Sequence, residues 1–183
     1  MRTEVHVHGS LYLCEGVSRR QVEAALRPWL DYLDVERMDE ARSLEPDQPG
    51  LAYHAKDRVL EICWTGAVGR SFEERLEETV ALLGPLTEQA TELELTFYHD
   101  NGEDETRLMF VGPTAEAIHE AQRRRMVEDV ADLLARHFDD ASISEVVALV
   151  NDLFRRDWQS RGSEDAFGEV SSPSVPPGRK HLH

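Results

Sequence analysis

With 183 residues and 36 Asp/Glu against 20 Lys/Arg, the chain has room for one domain plus a helical appendage, and its net charge of −16 argues against general binding to a phosphate backbone. Roughly 70% of the unfolded surface of such a chain can be buried, so folding requires neither disulfide nor metal. Two cysteines, Cys14 and Cys63, an opening MRTEVHVHGS without a signal-peptide apolar run, and no segment of membrane-spanning length set the expectation of a soluble, reduced, cytoplasmic protein with no membrane partner.

The first element is a strand over Thr3 to Leu13, TEVHVHGSLYL. Strand side chains alternate between faces, which sets Val5, Val7, Leu11 and Leu13 against Glu4, His6, His8, Ser10 and Tyr12. Ser18 and Gln21 have the spacing of a capping box, and Val22, Leu26, Trp29, Leu30 and Leu33 follow at helical spacing, with a kink expected at Pro28. A short strand is expected near Ala41 to Leu44. A hairpin is expected from Leu51 to Thr65 around Ala55 to Arg58.

A second capping box, Ser71 to Glu74, opens a helix carrying Phe72, Leu76, Val80 and Leu83. Leu93 to Tyr98 and Thr106 to Val111 read as a second hairpin, turning at Asn101-Gly102. Thr114 is an N-cap candidate for a helix from about Ala115 to Phe138. Ser142 to Glu145 opens the last helix, with Ile143, Val146, Val147, Val150, Leu153 and Phe154 at helical spacing and Trp158 closing the stripe. From Gly162 onward the chain is Gly, Ser, Pro and charge, so a disordered tail is expected.

This order predicts an α+β fold: a ferredoxin-like, split βαβ antiparallel sheet with helices on one face, then a C-terminal helical pair and a tail. The expected divisions are a sandwich domain over 1–112, a helical extension over 113–161 and the tail over 162–183. Leu60, Ile62, Trp64, Leu93, Leu95 and Phe97 would join the valines of the first strand beneath the helices. The opposite face would then present His6, His8, Glu61, Cys63, Thr65, Glu92, Glu94, Thr96 and Tyr98.

Two kinds of chemistry stand out. His6 and His8 share a strand face, Glu4 lies beside them, and Cys63 (or Glu61) would come from a neighbouring strand. Zn²⁺ accepts such a mixed donor set, and a bound water would supply the nucleophile of a metal-dependent hydrolase. The other feature is acidity. Ser71 to Phe110 holds eleven Asp/Glu and two Arg, a net −9, with Glu73, Glu77, Glu92, Glu94, Glu103, Asp104 and Glu105 as candidate partner-binding residues.

Other signals are absent or structural. No Gly-x-Ser-x-Gly, Walker loop or dinucleotide fingerprint is present, and His99 to Glu105 lacks the spacing of a calcium loop. Cys63 reads as a packing thiol, so no catalytic residue is assigned. Arg123 to Arg125 and Arg155-Arg156 read as solvated helix faces, and nucleic acid is not an expected partner. A small ligand between Tyr12 and Tyr98 on the open sheet face is a third possibility.

The expectation is therefore a non-enzymatic, acidic interaction protein, an adaptor or inhibitor with a protein partner and no cofactor, able to dimerise through its C-terminal helices. The zinc hydrolase with His6, His8, Glu4 and Cys63 is the alternative.

Overall fold

In a computed structural model of the protein, residues 3–99 and 101–167 are described, with side chains to residue 161. The chain divides into two compact units at Arg125/Met126. The first contains a five-stranded antiparallel sheet built around β1 (Thr3–Tyr12). Its neighbours are β3 (Val59–Val68) on one side and β4 (Thr91–Tyr98) on the other. β2 (Gly50–His54) pairs outside β3 and β5 (Glu105–Val111) outside β4, giving the order β2-β3-β1-β4-β5. The expected short strand at Ala41 to Leu44 is absent. A 3-10 turn, Met38–Glu40, leads into irregular chain, and Leu44 donates its amide to the Thr65 carbonyl at 2.8 Å.

Alternation decides which face is buried. Val5, Val7, Leu11 and Leu13 of the first strand are fully buried, and Leu60, Ile62, Trp64, Leu93, Leu95 and Phe97 join them in one core. Three helices supply the other half of that core: α1 (Arg19–Ala25), α2 (Arg27–Tyr32) and α3 (Phe72–Leu83). Ser18 caps α1 with the reciprocal Gln21 bond, and Pro28 sits in the first turn of α2, where a missing amide costs nothing. The chain therefore changes helix at Leu26 rather than bending one.

The centre of this core is aromatic. Trp29 meets Trp64 edge-on at 5.4 Å between ring centroids, and Trp64 stacks on Phe72 at 5.8 Å. Trp64 Nε1 donates to the Arg42 carbonyl at 3.1 Å. Its indole lies over Gly66, where any Cβ would overlap the ring. Trp29 Nε1 is buried with no hydrogen-bond partner, a desolvation cost of about 1–3 kcal/mol that the surrounding apolar contacts offset.

α4 (Ala115–Leu134) starts beside the sheet. Thr114 Oγ1 accepts the Ala117 amide at 3.1 Å, and a Cβ on Gly112 would stand 2.7 Å from that of Ala90, so the approach requires glycine. Arg125 forms an ion pair with Glu92 of β4.

The second unit holds the rest of α4 and the long α5 (Asp140–Phe167), joined by residues 135–139. Asp139 Oδ1, not Ser142, accepts the first-turn amide, that of Ser142 at 2.9 Å. α5 continues past Gly162 to Phe167, and the remainder of the expected tail, 168–183, lies outside the described residues. No helix among the described residues is long and apolar enough to cross a membrane.

Candidate functional site

The face of the sheet turned away from α1–α3 carries the titratable row of the first strand. The register sets His6 between Thr65 and Thr96, and His8 between Cys63 and Glu94. Glu4 lies between Ala67 and Tyr98. His6 and His8 therefore share a face, as strand alternation requires, with their rings stacked at 6.0 Å.

The irregular segment after the 3-10 turn folds over one end of this face and builds a hydrogen-bond relay. Ser43 Oγ accepts two backbone amides, Thr65 at 2.9 Å and Glu45 at 3.2 Å. Its proton goes to Gln48 Oε1 at 2.6 Å, the nearer of two acceptors, the Thr65 carbonyl standing at 3.4 Å. The same Gln48 Oε1 accepts from Thr65 Oγ1 at 2.9 Å. With the Thr65 proton engaged, His6 Nδ1 is the donor in its 2.9 Å bond to Thr65 Oγ1. Neutral His6 thus carries its proton on Nδ1 and keeps the Nε2 lone pair.

Electrostatics holds His6 in that neutral form. Burial lowers its pKa below 6.5, the neighbouring His8 lowers it further, and Glu94 opposes the shift only in part. Next to the relay a cavity of about 380 Å³ is lined by Glu4, Glu45, Asp47, Gln48, Thr65 and Tyr98. It is a polar bay with acidic walls. Tyr98 stands on this wall, whereas Tyr12, opposite Val59 in the register, does not line the bay.

Among the described residues no group of three or more His, Cys, Asp or Glu side chains comes within reach of one ion. Cys63 is no ready nucleophile, since burial raises its pKa and Glu61 raises it further. Glu61 itself faces outward to His54 at 3.0 Å.

The seven candidate acids do not form one patch. Glu92 and Glu94 stand on the open face. Glu73 and Glu77 belong to α3, which covers the opposite face. Arg107 bonds to Glu73 at 2.6 Å and Glu105 at 2.8 Å while lying 5.3 Å over the Phe97 ring. Glu103 accepts from the Asn101 side chain at 3.1 Å and Asp104 is exposed beside it. Charge spacing in the sequence carried no information about sheet face, which is why these acids read as one surface.

Ser43 and Gln48 were not legible as His6 partners. They come from a loop with no periodicity, and only the turn formers Pro46, Asp47 and Pro49 signal that the chain reverses there.

The second unit presents a different surface. From Met126 to Arg161 no residue is buried, while Met126, Leu133, Phe138, Val146, Leu149 and Leu153 are all exposed. In the body, by contrast, large apolar side chains exposed to this degree are scattered singly: Tyr12, Leu44, Leu82 and Tyr98.

No curated protein and no solved structure matches the chain. A family model covers residues 3–155, from the first residue of β1 well into α5, and the chain belongs to that family of unknown function, DUF6806.

Proposed function

We propose that the chain is a non-enzymatic interaction protein of the cytoplasm, adaptor-like or inhibitor-like, which uses an apolar helical unit together with an acidic α+β unit. Within the α+β unit we read β1 to β4 with their helices as a split βαβ, ferredoxin-like arrangement extended by β5.

The observation that carries the reading is the apolar surface of the second unit. Val146, Leu149 and Leu153 are 38%, 56% and 51% exposed, at spacings of three and four residues along one helix. An isolated helix draws most of its stability from packing an apolar face, and these three side chains stay exposed. Contiguous exposed apolar surface of this kind marks a contact site. The family model reaches Arg155, so the stripe is part of the family unit.

A photo-crosslinking residue placed at Leu149 tests the reading, with Lys56 in the exposed β2–β3 turn as the control position. Discrete adducts from Leu149 and none from Lys56 are expected. Equal, diffuse labelling from both positions would remove the α5 stripe as an interaction surface.

A further inference from the structure

His6 and His8 stand two residues apart on one face of β1, about 7 Å along the strand, with ring centroids 6.0 Å apart. An imidazole nitrogen binds Zn²⁺ at about 2.0–2.1 Å, which puts the ring centre roughly 3 Å from the ion, so two rings on one ion stand about 5–6 Å apart. The observed spacing lies at the outer end of that range.

His6 is the oriented member of the pair. Its Nδ1 donates to Thr65 Oγ1 at 2.9 Å, and that hydroxyl belongs to a buried residue and itself donates to Gln48. Metal-binding histidines are held in this way: the ring nitrogen away from the ion donates to an oxygen, which fixes the tautomer and leaves the other nitrogen as the ligand. In His6 the nitrogen left over is Nε2. His8 is the adaptable member. It is exposed and makes no hydrogen bond among the described residues, so its ring can turn out of the stack to meet an ion shared with His6.

Charge on this face favours a cation. Glu94 lies opposite His8 in the register, and Glu4 precedes His6 by two residues on the same face. Both are exposed, and neither forms an ion pair among the described residues. Glu45 and Asp47 line the bay next to Thr65. Since no three ligating side chains among the described residues reach one ion, these carboxylates act through their field and not as ligands.

We propose that His6 and His8 form a two-imidazole chelate for one divalent transition-metal ion of the class that imidazole suits, Zn²⁺, Ni²⁺ or Cu²⁺, with His6 held as a ligand by Thr65. Water fills the remaining coordination positions, so the ion is exchangeable and open on one side to an outside group. Ca²⁺ and Mg²⁺, which take oxygen ligands, are not bound there. Thr65 is a positioning residue: it touches no ion and acts only through the tautomer of His6.

The test is calorimetric titration of the full chain with Zn²⁺. His181-Leu182-His183 repeats the His-x-His spacing in the sequence, so every protein titrated carries His181→Gln and His183→Gln. Circular dichroism checks that each variant folds. One ion per chain is expected. His8→Gln should weaken binding more than tenfold, and so should His6→Asn, which keeps a donor toward Thr65 and removes the Nε2 ligand. Thr65→Val removes no ligand and should still weaken binding by about tenfold, whereas Thr65→Ser keeps the hydroxyl and should bind as its parent does. Excess Mg²⁺ should not displace the Zn²⁺.

Absence of stoichiometric Zn²⁺ binding overturns the site. Affinity that survives His8→Gln or His6→Asn puts the ion elsewhere and overturns the chelate. A folded Thr65→Val protein that binds as tightly as its parent overturns the oriented ligand and leaves an adventitious pair of surface imidazoles. Displacement of Zn²⁺ by Mg²⁺ overturns the class of ion.

Discussion

His6 Nδ1 and Thr65 Oγ1 meet at 2.9 Å across 59 residues of sequence, and this bond decides which imidazole nitrogen is left unprotonated in the neutral ring. Thr65 can donate only once, and its proton is engaged by Gln48. His6 is thereby the end of a relay running back to Ser43.

Replacing the Thr65 hydroxyl should therefore cost more than one hydrogen bond. Thr65→Val strands the His6 donor and removes one of the two bonds to Gln48. A loss of about 1–2 kcal/mol is expected in urea denaturation. Ser43→Ala breaks the same relay, so the two changes together should cost less than their sum. Strict additivity in the double-mutant cycle would mean the relay does not act as a unit.

The pH dependence has a definite sign. His6 titrates below 6.5 in the folded protein, so between that lowered value and 6.5 the unfolded chain binds more protons. Its contribution to stability is complete above 6.5 and declines as pH falls through that window. His6→Asn keeps a donor toward Thr65 and removes the titration. Denaturation midpoints measured on both sides of pH 6.5 should fall less steeply in the variant. Parallel curves for variant and wild type would show that His6 is not held neutral.

Gly66 is required by Trp64, not by its own backbone angles. The indole covers the position a Cβ would take, so Gly66→Ala should displace Trp64 from its stack on Phe72. Destabilisation of about 1–3 kcal/mol is expected, with a change in tryptophan emission as the indole loses its packed position. Unchanged stability and emission would contradict the overlap.

Cys63 should alkylate slowly. Its thiol is shifted upward by burial and by Glu61, which leaves less thiolate near neutral pH than a free cysteine has. Iodoacetamide kinetics on a Cys14→Ser chain, compared with a small thiol, should show slower reaction that accelerates with rising pH. Reaction faster than the free thiol would reopen Cys63 as a nucleophile.

Much of the body was legible because its signals are local. The alternation of Val5, Val7 and Leu11 sorted the faces, the Ser18–Gln21 box marked α1, and Asn101-Gly102 marked a turn whose glycine has φ +75°. Other cap assignments shifted. Ser71 makes no side-chain cap bond, since its backbone (φ −86°, ψ 0°) is not the extended one of an N-cap, and Asp139 takes the role expected of Ser142.

The sheet order was less accessible. A four-strand unit was expected with the second hairpin attached, and the fifth strand extends the sheet on the β4 side. The site was least legible. Relay partners come from an aperiodic loop, and face assignments for the acids depend on register, which local pattern does not contain.

β1 occupies the middle of the sheet, and its central residue His8 pairs with Glu94, 86 positions further along the chain. At translation rates of about 5–20 residues per second, β1 waits roughly 4–17 s for that partner to be made. The β3 neighbours of Val5 and Val7, Gly66 and Trp64, are made earlier, but the β4 side of both residues stays unpaired throughout that interval. For the nascent chain, the hazard is therefore an early apolar strand looking for the wrong edge. A pause in synthesis before β4 would lengthen it.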